Sequence, residues 1–162
     1  MAKVDIKAAY RAVAIHPSSY PATGLLWNIN GHDTYLVDRR LMFGAKPSPS
    51  CFHRISQCIK RCMVRRGYSR IVAYQDDFLV LEDIYDKCNM AWKELISLIQ
   101  SLGFDINFSK SVAPARKVTF LGIELNSETM EISLPNSKLE SLRDYIGEFM
   151  GKTRRLKGNC NH

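Results

Sequence analysis

The stretch Arg70-Ile71-Val72-Ala73-Tyr74-Gln75-Asp76-Asp77-Phe78-Leu79-Val80-Leu81 holds two aspartates between two short apolar runs. Runs of this length, rich in Val, Ile and aromatic residues and broken by a polar trio, read as two strands joined by a tight turn. Such a turn holds a carboxylate at the rim of a sheet while the strands fix its place. Paired aspartates also make turns for purely local reasons, so the pair alone leaves a structural and a functional reading equally open. Asp5 is the second half of the argument. It lies at the end of another short strand, in Val4-Asp5-Ile6-Lys7-Ala8-Ala9-Tyr10. If that strand neighbours the hairpin, Asp5 and Asp76 meet at one edge. Two bare carboxylates about 4 Å apart repel by roughly 4 kcal/mol at an effective dielectric near 20, so the pair calls for cations. All-oxygen ligation suits magnesium, which keeps waters and takes substrate phosphates. Two such ions clamp the attacking and leaving oxygens of an in-line phosphoryl displacement.

Outward from the hairpin, the chain alternates strands and helices. Gly24 to Ile29 and Thr34 to Val37 flank Asn30-Gly31-His32-Asp33, good hairpin chemistry. Pro47-Ser48-Pro49-Ser50 predicts a helix start with a serine cap. Phe52, Ile55, Ile59 and Cys62 or Met63 follow at helical spacing, and Gly67 predicts the stop. A second helix is expected from about Asp86 to Leu102, with Ala91, Leu95, Leu98 and Leu102 as its apolar stripe. Lys117 to Leu125 and Met130 to Leu134 read as another hairpin. A last helix starts near Pro135, with Leu139, Leu142, Ile146 and Phe149 expected to face inward. This order predicts an α+β layer, helices packed on one face of a mainly antiparallel sheet.

At 162 residues the chain is expected to fold as one domain, or one domain with a ragged extension. With 46% hydrophobic residues it can build a core, which argues against general disorder. Lysine and arginine number 23 against 16 acidic residues, a net charge of +7 that favours a polyanion partner. The basic residues cluster in Arg39-Arg40, Lys60-Arg61, Arg65-Arg66, Arg116-Lys117 and Arg154-Arg155. Five cysteines without regular spacing read as reduced thiols of an intracellular protein, cytoplasmic or nuclear and not secreted. Cys51, Cys58 and Cys62 share a helical face near His53, but the spacing matches no familiar zinc site and cysteine is a common core residue. No apolar run approaches the roughly 20 residues of a membrane span, so no membrane partner is expected.

Five stretches, in order, resemble the palm motifs of reverse transcriptases, with closest likeness to retrotransposon enzymes. Val4 to Tyr10, running on to Ile15-His16-Pro17, resembles the first. Leu41-Met42-Phe43-Gly44-Ala45-Lys46-Pro47-Ser48-Pro49-Ser50-Cys51-Phe52 resembles the second, and Tyr74-Gln75-Asp76-Asp77 the YxDD box. Leu102-Gly103-Phe104 through Asn107-Phe108-Ser109-Lys110 resembles the fourth, and Val118-Thr119-Phe120-Leu121-Gly122 the primer grip. Ile132-Ser133-Leu134-Pro135 and Lys138 add a flavour of the DIRS-like group. The resemblance covers about Val4 to Met150. One such motif is loose; five in order are specific.

The resemblance implies a polymerase palm-type fold with partial fingers and the start of a thumb. It implies an RNA-directed DNA polymerase that transfers deoxynucleotides to a primer 3′-hydroxyl by a two-metal mechanism. Its partners would be an RNA or DNA template with primer and deoxynucleoside triphosphates. By analogy, Asp5 and Asp76 would bind two magnesium ions, or manganese in their place, with Asp77 assisting and the Ile6 carbonyl completing one shell. Tyr10 matches the aromatic gate against a 2′-hydroxyl; its plain alternative is a core aromatic. Gly44 would allow close backbone approach to the nucleotide, and Lys46 would sit by nucleotide and template beside a helix N-terminus. Lys110 matches the lysine that protonates the leaving pyrophosphate, although a surface lysine is the default for that residue type. Phe120, Leu121 and Gly122 would form the turn that holds the primer end, a role compatible with an ordinary hairpin core.

Met42 departs from the proline usual in the second motif, and Gln75 takes the variable place in the YxDD box. The larger departure is upstream, where the resemblance implies fingers strands that this sequence does not contain. The expectation is therefore a palm-centred domain over 1–150 without its N-terminal fingers, then a truncated basic tail at 151–162. Such a chain keeps the metal site yet lacks a triphosphate clamp, so an inactive retroelement fragment or a basic nucleic-acid-binding module is the second reading. A nucleotide cyclase also uses two aspartates and two metals. The YxDD box, Leu121-Gly122 and the basic clusters argue against it.

Overall fold

The computed structural model describes residues 1–158, and side chains through residue 150. The basic tail expected at 151–162 lies in large part outside the described residues, the Arg154-Arg155 side chains included. The chain divides into two compact units, Met1–Ala115 and Arg116–His162.

In the first unit, β1 (Ala2–Asp5), β4 (Ile71–Tyr74) and β5 (Asp77–Val80) form an antiparallel sheet ordered β1-β5-β4. The register sets Val4 opposite Phe78, Asp5 opposite Asp77, and Tyr74 opposite Asp77. Side chains alternate across a strand, so Ala2, Val4, Ile71, Ala73, Phe78 and Val80 fall on one face. All six are buried. They pack on α2 (Pro47–Arg65) through Phe52, Ile59 and Met63, and on α3 (Tyr85–Ser101) through Cys88, Ala91, Leu95, Leu98 and Ile99. The expected α+β layer, with helices on one face of an antiparallel sheet, is what forms. A short α1 (Ala9–Ala12) follows β1, then a 3₁₀ helix, Pro17–Thr23. The hairpin of β2 (Gly24–Ile29) and β3 (His32–Val37) turns at Asn30-Gly31. Both turn residues have positive φ, 53° and 85°, the two-residue geometry that Asn-Gly favours.

Several local expectations are corrected. Helix α2 begins at Pro47 with Lys46 as its N-cap, and no side chain caps it. Ser48 therefore lies inside the first turn, where it is buried rather than capping. Cys51, Cys58 and Cys62 are exposed, and Cys88 is buried. Met63, not Cys62, continues the buried stripe of α2. Leu102 is also exposed, because α3 ends one residue before it.

The second unit carries β6 (Lys117–Phe120), β7 (Ile123–Asn126) and β8 (Glu131–Ser133), an antiparallel meander, then α4 (Asn136–Gly158). Lys117 to Leu125 is thus two strands with a turn, not one. Leu121 and Gly122, at φ 48° and 75°, close the turn between Phe120 and Ile123. Along α4, Leu142, Ile146 and Phe149 are exposed, which corrects the inward-facing stripe. Helical period says which residues share a face, not that something covers it. Among the described residues, no helix is long and apolar enough to cross a membrane.

Candidate active site

Sheet register brings the separated aspartates together. Asp5 ends β1, and the two-residue turn Gln75-Asp76 joins β4 to β5 beside it. The Ile6 N–H donates to the Asp76 carbonyl at 3.0 Å, which ties the end of one strand to the turn of the other. On the far side of β1 runs the segment after α3. The Asn107 N–H donates to the Asp5 carbonyl at 2.8 Å, and the Asp5 N–H donates to Ser111 Oγ at 3.0 Å. The backbone at both ends of Asp5 is therefore held by hydrogen bonds, so its carboxylate is positioned by the sheet rather than by a loop.

The result is a cleft of about 310 Å³ lined by Asp5, Ile6, Tyr10, Asp76, Asn107 and Lys110, with Phe43 and Gln75 at its walls. Burial pushes the Asp5 carboxyl above its ordinary range. The charges of Asp77 and Asp76 push the same way, while Lys110 and Lys3 oppose them. Burial, with the Asp76 charge, also raises the Tyr10 phenol. The Tyr10 hydroxyl donates to Gln75 Oε1 at 2.8 Å.

Asp77 is placed differently. Its carboxylate does not line the cleft; Lys3 Nζ lies 2.9 Å from Asp77 Oδ1. That oxygen is buried and accepts no hydrogen bond of normal geometry, so the contact is one of charge. Among the described residues, no three His, Cys, Asp or Glu side chains form a ready metal cage. Two carboxylates remain, Asp5 and Asp76, facing an open cleft, and Asp5 is costly to ionise without a cation. Hard oxygen donors in an open site fit magnesium, which takes its remaining ligands from water and phosphate.

Of the other expected site residues, Ile6, Tyr10 and Lys110 line the cleft, and Gly44 and Lys46 do not. Gly44, at φ 81°, turns the chain just before α2, and Lys46 is exposed at that helix's first turn. Phe120, Leu121 and Gly122 form the β6–β7 turn of the second unit. The φ of 75° at Gly122 favours glycine for its backbone; a Cβ there would also meet the Lys138 amine, the mobile end of a side chain that can swing away.

Sequence reading missed Lys3, Phe43 and Ser56. Lys3 was legible as the residue two before Asp5, on the same face of β1. Nothing local marked Ser56. Its hydroxyl is buried on α2 and donates to the Gln75 carbonyl, holding the β4–β5 turn from beneath.

Residues 1–125 match the family model described as "Reverse transcriptase (RNA-dependent DNA polymerase)". The chain is 25% identical over 158 residues to the Gag-Pol polyprotein of gibbon ape leukemia virus, covering 89% of this chain and 9% of that polyprotein. Structures of the foamy viral protease-reverse transcriptase, one in complex with double-stranded DNA and one with an RNA/DNA hybrid, superpose with TM-score 0.74 at 19% identity. Each match covers 88% of this chain, and 23% and 18% of those chains. This likeness shows a shared fold, and the chain spans less than a quarter of the length of each of these relatives.

Proposed function

The chain belongs to the reverse transcriptase family, and from that premise we propose that it carries the metal and nucleotide site of an RNA-directed DNA polymerase. The reaction is attack of a primer 3′-hydroxyl on the α-phosphate of a deoxynucleoside triphosphate, with release of pyrophosphate. One observation carries the reading: Asp5 and Asp76, remote in sequence, line the same cleft, locked by the bond from the Ile6 N–H to the Asp76 carbonyl.

Asp5 and Asp76 would hold two magnesium ions, or manganese, and the carbonyl of Ile6, which also lines the cleft, would complete one shell. Bound there, the ions supply charge neutralisation for the attacking and leaving oxygens. Asp77 assists by keeping negative charge beside Asp5, and direct ligation requires it to leave Lys3. Tyr10 stands in the cleft as an aromatic wall against a 2′-hydroxyl. Lys110 carries its ammonium on the Asp5 side of the cleft, where it balances triphosphate charge and can give a proton to pyrophosphate. Gly44 and Lys46 bring backbone and charge to the first turn of α2, a site suited to template or nucleotide phosphate. The Phe120-Leu121-Gly122 turn serves the primer end. The foamy viral complexes with double-stranded DNA and RNA/DNA hybrid support a template with primer as the partner.

Primer extension on poly(rA)–oligo(dT) with magnesium and dTTP tests the reading. The chain should extend the primer, and Asp5→Asn and Asp76→Asn should each abolish extension. Salt-sensitive binding of the duplex without any extension contradicts the polymerase reading and leaves a nucleic-acid-binding module.

A further inference from the structure

We infer that Cys58 and Cys62 form a dithiol site on the outer side of α2, one that captures a trivalent, sulfur-seeking centre carrying its own apolar group, an aryl arsenical being the class that fits. The inference goes beyond the polymerase reading and does not depend on it.

The two cysteines are free, exposed and four residues apart on one helix. Both line one apolar cavity of about 490 Å³, walled by Ile55 and Ile59 of α2 and by Leu102 and Phe104 just past the end of α3. Side chains at this spacing lie one turn apart on the same face, with Cβ atoms about 5–6 Å from each other. A disulfide needs those atoms within about 4.5 Å, so the pair cannot close on itself while the helix keeps its shape. The helix does keep it. Phe52 and Met63 pin its inner side into the core, and the Ser56 hydroxyl donates to the Gln75 carbonyl. A single soft atom, with bonds to sulfur of about 2.3 Å, spans the gap that a direct sulfur–sulfur bond does not.

What the site lacks selects its ligand. Among the described residues, no third Cys, His, Asp or Glu joins the pair into a cage of three. Cys51 stands two turns back, about 10 Å along the axis, and lines a different cavity. His53 lies on another side of the helix. A bare zinc ion, which takes four ligands, is left half-held by two thiolates. A monoaryl arsenic(III) centre takes two sulfurs and completes its three bonds with the carbon it already carries. Its ring then rests against Leu102 and Phe104, where apolar surface is covered on both sides. Capture involves no oxidation or reduction. Two As–O bonds of the hydrated arsine oxide break and two As–S bonds form, and each thiol proton leaves with one hydroxide as water.

The test uses the whole chain, reduced with a phosphine, with phenylarsine oxide as the probe and intact mass as the readout. One phenylarsenic group per chain should bind and survive excess glutathione, while dithiothreitol, itself a dithiol, removes it. Cys58→Ser and Cys62→Ser should each weaken binding about a hundredfold, because the second bond forms within a chelate. Cys51→Ser combined with Cys160→Ser should leave binding unchanged. Cys58 and Cys62 are exposed, so serine there removes no core packing. Phenylarsine oxide should outbind arsenite about tenfold, the scale of burying part of one ring. Leu102→Asn should shrink that preference, which reads the cavity rather than the thiols. Retention of the adduct against glutathione in either single variant, or equal affinity for arsenite and phenylarsine oxide, overturns the inference.

Discussion

Asp5 is buried at the end of a strand with two other aspartates near it, and its carboxyl is held above the ordinary range by burial and by their charge. The folded chain therefore binds a proton at Asp5 more readily than the unfolded chain does. Its contribution to stability is greatest below the ordinary carboxylate range and is lost as pH rises through the raised folded value. Asp5→Asn should flatten that loss, read as thermal midpoint against pH in metal-free buffer. Magnesium should reverse it in the unaltered chain: at about a hundredfold excess over its dissociation constant it adds about 2.7 kcal/mol, and it should add little to Asp5→Asn. Lys3 makes the matching test from the other sign of charge. Its pair with Asp77 is mostly shielded from water, so Lys3→Met leaves a carboxylate without its counter-charge. A loss of about 1–3 kcal/mol in urea unfolding is expected, partly restored by adding Asp77→Asn.

At the scale of elements, the turns carry the unusual backbone, with positive φ at Asn30, Gly31, Gln75, Leu121 and Gly122. Asn30-Gly31 and Leu121-Gly122 both close two-residue hairpins with positive φ, yet only the first pair has the side chains that favour it. With only the Lys138 amine to swing aside, Gly122→Ala puts a side chain at an unfavourable φ. It should lower the stability of the 117–133 meander by about 1–2 kcal/mol, seen as faster hydrogen exchange there with the β1-β5-β4 sheet unaffected. Leu121→Asn should protect the same amides, because asparagine tolerates the left-handed region that leucine resists. The cysteines make a related point about α2. A shared helical face placed Cys51, Cys58 and Cys62 together, but the sheet takes the neighbouring stripe of Phe52, Ile59 and Met63. Burial follows the line of contact with the sheet, which no single helix specifies.

For the molecule as a whole, the net charge of +7 is the feature that bears on affinity. Binding to a template–primer duplex should weaken steeply with salt. A log–log slope of about −4 corresponds to roughly four to five phosphates neutralised, and a slope near zero contradicts a polyanion partner. Fluorescence anisotropy of a labelled duplex, between about 50 and 200 mM salt, measures it. The relatives named are retroviral, which supports the family and not the DIRS-like group drawn from Ile132-Ser133-Leu134-Pro135 and Lys138.

By itself, the amino-acid order determined the α+β layering, the strand–turn–strand around Gln75-Asp76-Asp77 and the stretch ending at Asp5. Each of these rests on local patterns, the two-residue alternation of strands and the turn chemistry between them. Tertiary structure decided what those patterns leave open. The register of β1 against β5 turned Asp77 toward Lys3 and left Asp5 and Asp76 to the cleft. A buried hydroxyl on α2 set the shape of the Gln75 turn, and that shape carried the amide to Tyr10. Register and helix docking depend on contacts between segments far apart along the chain. Period and propensity identify the face that each residue occupies, and only the packed neighbours choose its partner.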